Sequence, residues 1–162
     1  MWDILLQFFL FLSISALDTF FHSLTVPFQN IELLPITVML FFLFKGFESA
    51  LFPALLLGII SSYLNLEPIG FSSIIFLGST TAVYALRDTI ITHENITSIF
   101  ILSVAFHAIF AIGATIREPN FSLVWFQESV FSILVNAFFT FLFFIVIRKT
   151  QKQLAKRFIP HF

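Results

Sequence analysis

Long apolar segments alternate with short polar ones along the whole chain. A membrane span needs roughly 20 apolar residues to cross about 30 Å of hydrocarbon. Segments near 4–21, 50–66, 69–86, 96–116 and 124–147 meet that requirement. A sixth segment, 33–44, is short. Pro35 suits a first helical turn, so this segment is interpreted as a tilted span or as a helix at partial depth. A re-entrant or interfacial segment is the alternative. The pattern predicts an all-α protein, a six-helix transmembrane bundle that forms one domain over 1–162.

Composition supports a membrane location and narrows the chemistry. With 59% hydrophobic and only 10% charged residues, the chain has too little polar surface for a water-soluble fold. A net charge of -1 excludes a general electrostatic attraction to nucleic acid. The chain has no cysteine, which excludes disulfides, thiolate catalysis and sulfur-ligated metals.

The basic residues are distributed unevenly between the two predicted sides. With six spans, Lys45, Arg87 and the five basic residues of 148–157 share one side, and only Arg117 falls on the other. The positive-inside rule therefore places both termini in the cytoplasm, with a basic tail over 148–162. No Lys or Arg precedes Lys45, so the first span is expected to remain in the protein and not to be cleaved as a signal peptide.

Two polar side chains, His107 and Asn136, lie near the middle of predicted spans. Neighbouring antiparallel spans bring their midpoints together, so the two are expected to share an interhelical hydrogen bond that stabilises packing. A ligand or proton site is the alternative. The other ionisable residues fall at span ends or in loops. We find no His-Glu-x-x-His motif, no phosphate-binding glycine loop and no base beside a serine, so we expect no enzyme activity, no metal site and no cofactor.

The stretch Gly58 to Gly70, GIISSYLNLEPIG, interrupts the apolar pattern. Gly58, Ser61 and Ser62 fall within one helical turn and form a small-residue face suited to close helix packing or to a partner. Pro68 lacks an amide hydrogen and disfavours helix at the preceding residue, so the helix ends before it. Gly70 then opens the next span. The stretch predicts a hairpin of the third and fourth helices.

These features resemble the bacterial rod shape-determining protein MreD family. Its members are short and very hydrophobic, with a proline in a Leu-rich second span, as in Leu-Leu-Pro35. They also have a glycine followed four residues later by aspartate, a short outer turn and another glycine. Gly58 and Gly70 fit, whereas Ser62 stands at the aspartate position, and Asn136 precedes the basic pair Arg148-Lys149 as in the family. The resemblance is best over 33–86 and 124–157.

The resemblance implies a non-enzymatic membrane scaffold of the cell-elongation machinery, which supports rod shape and lateral peptidoglycan synthesis. Its expected partner is an MreC-like protein with one span and a coiled coil. That partner would connect it to MreB filaments and to wall-synthesis enzymes. The family is also similar in architecture to the six-helix substrate-binding components of energy-coupling-factor vitamin transporters, and such a component is the alternative function.

The basic tail is the remaining candidate surface. Positions 148, 152 and 156 share one helical face, so the tail is expected to lie along the inner leaflet and contact anionic lipids. A simple positive-inside stop signal is the alternative. The residues concerned are Arg148, Lys149, Lys152, Lys156 and Arg157.

Overall fold

The computed structural model describes residues 2–24, 30–90, 95–116 and 122–158. These residues form six helices and no strand, which confirms the predicted all-α, six-helix class. Arg117 and residues 159–162 of the predicted tail lie outside the described residues. The helices are α1 (Trp2–His22), α2 (Leu33–Lys45), α3 (Phe47–Leu64), α4 (Phe71–Ile90), α5 (Ile96–Thr115) and α6 (Leu123–Phe158).

Three of the described helices are long and apolar enough to cross a membrane. Their apolar parts are Phe47–Leu64, Ile96–Thr115 and Trp125–Gln153. Large apolar side chains point outward from several helices, among them Ile74, which is 72% exposed, and Ile112, which is 66% exposed. An apolar outer surface of this kind suits lipid as the surrounding medium, since in water it would be an aggregation hazard.

The short helix α2 lies at the centre of the bundle. It contacts each of the other five helices, and Ile36, Val38 and Met39 are almost completely buried. Its 13 residues span about 20 Å, less than the hydrocarbon thickness. A helix that is apolar on all sides needs neighbours on all sides, and α2 has them. A full crossing of the membrane by α2 stays a prediction.

Helices α3 and α4 form the predicted hairpin and approach each other very closely. A Cβ added at Gly58 would lie 2.3 Å from the Cα of Ser73, so the two backbones touch at this point. The amide of Ser72 donates to Ser62 Oγ at 3.1 Å, and Ser73 Oγ donates to the carbonyl of Leu55 at 2.9 Å. The small-residue face is therefore covered by α4 and serves packing within the chain.

The chain reverses direction at one glycine before this hairpin and at one within its turn. Gly46, between α2 and α3, has φ 85°, and Gly70, directly before α4, has φ 89°. Side chains other than glycine rarely adopt this left-handed region without strain. Neither glycine has a neighbouring atom that a Cβ would meet, so its role is conformational and does not depend on close packing.

The basic residues collect at one end of the bundle. Helices α2, α4 and α6 begin at the same end of the bundle. Lys45, Arg87 and Arg148 lie toward the opposite end, in the C-terminal parts of these helices. Arg148 places its guanidinium 5.8 Å from the ring centroid of Phe144. The charge segregation predicted from the sequence is therefore present among the described residues.

The predicted basic tail is a continuation of helix α6. Helix α6 continues without interruption to Phe158, giving 36 residues and a length of about 54 Å. Arg148, Lys149 and Lys152 are exposed on this continuous helix. Contact of this segment with the inner leaflet stays a prediction. The side chains of Lys156 and Arg157 lie outside the described residues.

Candidate functional site

A polar cavity lies at the end of the bundle opposite the basic residues. Its volume is about 680 Å³, and all six helices contribute to its lining where they begin or end at that side. Four carboxylates line it, and no Lys or Arg does among the described residues. The acidic residues are Asp18, Glu32, Glu67 and Glu128. The cavity has the size of a small-ligand site, typically about 300–1,000 Å³.

Two neighbouring helices cap the start of α2 at the edge of this cavity. The residue before the helix, Glu32, makes no side-chain cap of its own. Instead the amide of Leu33 donates to Asp18 Oδ1 of α1 at 2.5 Å, and the amide of Glu32 donates to Asn136 Oδ1 of α6 at 2.8 Å. These bonds satisfy amides that a helix start leaves without partners, and the Asp18 charge suits the positive end of the helix dipole.

Asn136 is the centre of a polar network that joins α6 to the segment before α2. Its Nδ2 donates to the carbonyl of Asn30 at 3.0 Å and to Ser132 Oγ at 3.1 Å. Ser132 Oγ in turn donates to Glu32 Oε1 at 3.3 Å. Asn136 is 2% exposed, so these bonds form in a buried setting where an unpaired amide is costly. The network holds the Glu32 carboxylate in place at the cavity wall.

The predicted hydrogen bond between His107 and Asn136 is wrong. His107 Nε2 lies 2.9 Å from Thr140 Oγ1, one turn further along α6. Thr140 Oγ1 donates its own proton to the carbonyl of Asn136, so the histidine must donate through Nε2. The geometric reason is that the side chain of Asn136 points to the start of α2, whereas α5 faces the next turn of α6. His107 is 2% exposed and does not line the cavity.

The outer turn between α3 and α4 forms another part of the cavity wall. Ser72 Oγ donates to Glu67 Oε2 at 2.5 Å, which orients that carboxylate at the start of α4. Asn65 Nδ2 donates to Ser61 Oγ at 3.2 Å. Ser61 and Glu67 both line the cavity, so Ser61 has a second role besides its place in the small-residue face.

The environment of Glu32 changes its acidity. Burial raises the pKa of Glu32 to about 7, and the nearby Asp18 carboxylate adds to the rise because two like charges repel. The Ser132 hydroxyl and His22 lower that pKa by smaller amounts. Glu32 consequently titrates near neutral pH, at the wall of a cavity large enough for a ligand.

The acidic cavity is not predicted by the sequence pattern. That pattern places Asp18 and Glu32 at span ends in contact with water, but Asp18 is 9% exposed and Glu32 is half-buried. A usable signal is present: with six spans, five of the nine acidic residues fall on the side that holds only one basic residue. Acidic residues gathered at one end of a bundle indicate a cavity only once the helices are known to leave space there.

Comparison with known proteins adds no assignment to this geometry. No protein-family model, no curated protein and no solved structure matches the chain. A functional proposal therefore depends on the residues, on the resemblance to the MreD family and on the geometry.

Proposed function

We propose that the protein is a non-enzymatic, multi-pass scaffold subunit of the bacterial cell-elongation complex. It resides in the cytoplasmic membrane with both termini in the cytoplasm. It supports rod shape and lateral peptidoglycan synthesis through an MreC-like partner. The observation that carries the proposal is the α3–α4 hairpin: Gly58 touches the backbone of Ser73, and Gly70 adopts a positive φ. Two positions on which the resemblance rests thus have roles that favour glycine.

An apolar groove between α1 and α3 is the surface best suited to the partner's single span. The groove has a volume of about 420 Å³ and is lined by Leu12, Ala16, Ile59 and Tyr63 among others. Among the described residues, α1 contacts only α2 and α3, so its other side is open to another helix. The small side chain of Ala16 permits a close helix approach. The face around Gly58 is not available for this role because α4 covers it.

Site-specific photo-crosslinking tests the scaffold proposal. A photoreactive amino acid at Ala16, in the groove, is expected to crosslink to the single-span coiled-coil partner when both are expressed together. The matched control is Ile112 on α5, which is also exposed but lies on a helix that does not line the groove. Equal crosslinking from both positions, or none from Ala16 while the two proteins co-purify, contradicts the groove. Failure of the two proteins to co-purify contradicts the scaffold function itself.

The proposed orientation has a simple test because the chain contains no cysteine. Single cysteines at Ile69, in the turn before α4, and at Lys149, on the basic end of α6, report opposite sides. A membrane-impermeant maleimide added to spheroplasts is expected to label Ile69→Cys, and to label Lys149→Cys only after lysis. The reverse pattern refutes the cytoplasmic placement of the termini.

The acidic cavity favours a second candidate, a substrate-binding component of an energy-coupling-factor type transporter. Such a component needs a ligand-sized pocket with a few convergent polar groups, and the cavity at the non-basic end has both. Purification of the tagged protein in mild detergent separates the two candidates. Co-elution of paired ATPase subunits with their membrane coupling protein supports the transporter component, and co-elution of a single-span coiled-coil protein with wall-synthesis enzymes supports the scaffold.

A further inference from the structure

The polar cavity combines features that select a ligand by charge. Its carboxylates come from four different parts of the fold: Asp18 from α1, Glu32 before α2, Glu67 after α3 and Glu128 from α6. Among the described lining residues His22 is the one basic side chain, and its Nδ1 lies 3.9 Å from Asp18 Oδ2. Carboxylates held in a cleft with low-dielectric walls focus a negative potential and raise the local concentration of cations.

Aromatic rings complete the lining. Phe76 and Phe110 have ring centroids 4.8 Å apart, and Phe76 is fully buried, so this pair lies on the core side of the cavity. Trp125, near the start of α6, also lines the cavity. Aromatic faces attract cations and bury apolar groups, and indole is the strongest of them. The cavity therefore offers apolar contact area beside its negative charges.

The arrangement is unsuited to a protein-bound metal ion. Among the described residues, no three His, Asp or Glu side chains converge closely enough to hold one. One carboxylate oxygen is already engaged on each of three residues: Asp18 accepts from Leu33, Glu32 from Ser132 and Glu67 from Ser72. Dispersed carboxylates around an aromatic wall suit a larger, organic cation, whose body contacts the rings while its charge is attracted by the carboxylates.

We propose that this cavity binds a small organic cation, an amine or quaternary ammonium carried on an apolar or aromatic body. Glu32, Glu67 and Glu128 supply the negative potential that attracts the cationic nitrogen, and the apolar body contacts Trp125 and the phenylalanines. This inference goes beyond the scaffold function, and it names the substrate class if the protein is instead a transporter component.

Intrinsic fluorescence gives a direct test, because the chain has only two tryptophans and one of them lines the cavity. In a Trp2→Phe variant, Trp125 is the sole reporter. The protein is placed in nanodiscs of uncharged phosphatidylcholine and titrated with phenethylamine, phenethyl alcohol or phenylacetate, which share one ring and differ in charge. Phenethylamine is expected to change the Trp125 emission with a Kd about tenfold lower than that of the alcohol. Phenylacetate should bind more weakly than either.

Variants assign the effect to the carboxylates. The titrations are run at about pH 8, above the Glu32 pKa of about 7, so that this carboxyl is ionised. Glu32→Gln and Glu128→Gln then keep the side-chain shape and remove one charge each, and each is expected to weaken phenethylamine binding about fivefold or more. Binding of phenethyl alcohol should not change. The matched control is Glu48→Gln, because Glu48 is exposed in the first turn of α3 at the opposite end of the bundle. Glu48→Gln should leave all three titrations as they are.

The outcomes separate this inference from the proposed functions. Equal Kd values for phenethylamine and its alcohol, or equal weakening by the Glu48 and Glu32 variants, overturn the cation site. Preserved partner crosslinking in the same Glu32→Gln protein would then leave the scaffold proposal standing. Failure of the partner to co-purify with a protein that still binds phenethylamine contradicts the scaffold and supports the cation site.

Discussion

The close contact at Gly58 makes the strongest prediction for stability. A methyl group added at this position would sit 2.3 Å from Ser73 Cα and 2.5 Å from Ser73 N, whereas ordinary contacts begin at 3.4 Å. Helices α3 and α4 must therefore separate by 3.4 minus 2.3, or 1.1 Å, because backbone atoms cannot rotate aside. Gly58→Ala is thus expected to move the whole hairpin.

The loss in the free energy of unfolding follows from the overpacking and from the hydrogen bonds that the helix separation weakens. Overpacking of a well-packed site costs about 1–3 kcal/mol. Separation by that distance also breaks or stretches the bonds from Ser72 N to Ser62 and from Ser73 Oγ to Leu55, each worth about 0.6 kcal/mol in a membrane bundle. We expect Gly58→Ala to lower the free energy of unfolding by about 2–4 kcal/mol.

Unfolding in mixed micelles of mild detergent and dodecyl sulfate, followed by circular dichroism, measures this change. The chain supplies two matched glycine controls. Gly78 has no atom within 4 Å of an added Cβ, so Gly78→Ala should be neutral or slightly stabilising, since alanine favours helix by up to about 1 kcal/mol. At Gly113 the added Cβ meets only the Ile75 side chain, which can move, so that variant should be intermediate. A Gly58→Ala protein as stable as Gly78→Ala refutes the reasoning.

Three further predictions concern the polar groups. The raised pKa of Glu32 means that the folded state favours its protonated form, so the free energy of unfolding should fall as pH rises from about 4.5 to about 7. Glu32→Gln should flatten this dependence of stability on pH, and an equal dependence in the variant and the original protein contradicts the assignment. Asn136→Ala removes three hydrogen bonds from a buried site and should cost about 2–3 kcal/mol in the same unfolding assay, whereas a loss below about 0.5 kcal/mol argues against the network. His107→Leu removes one hydrogen bond, while Thr140 keeps its bond to the Asn136 carbonyl, so the free energy of unfolding should fall by about 1 kcal/mol or less. Loss of function at normal membrane levels would instead indicate a ligand or proton site at His107.

The primary sequence by itself determined the helical class, the approximate positions of the helices and the separation of charge between the two ends. Each depends on properties that a segment carries alone: apolar length, the absence of an amide hydrogen at Pro68, and the positions of Lys and Arg. The hairpin around Gly58 belongs here too, because a glycine, two serines and a following turn indicate close approach whatever the neighbouring helix is.

Tertiary structure alone decided which polar groups meet. Depth along a span predicts His107 beside Asn136. The rotation of α5 and α6 about their axes instead brings the histidine within hydrogen-bond distance of Thr140. Asn136 instead bonds backbone groups of residues 30 and 32, and every residue type presents such groups, so no sequence pattern marks them. The acidic cavity likewise depends on how six helix ends are spaced, a property of the packing of the whole bundle that no single segment encodes.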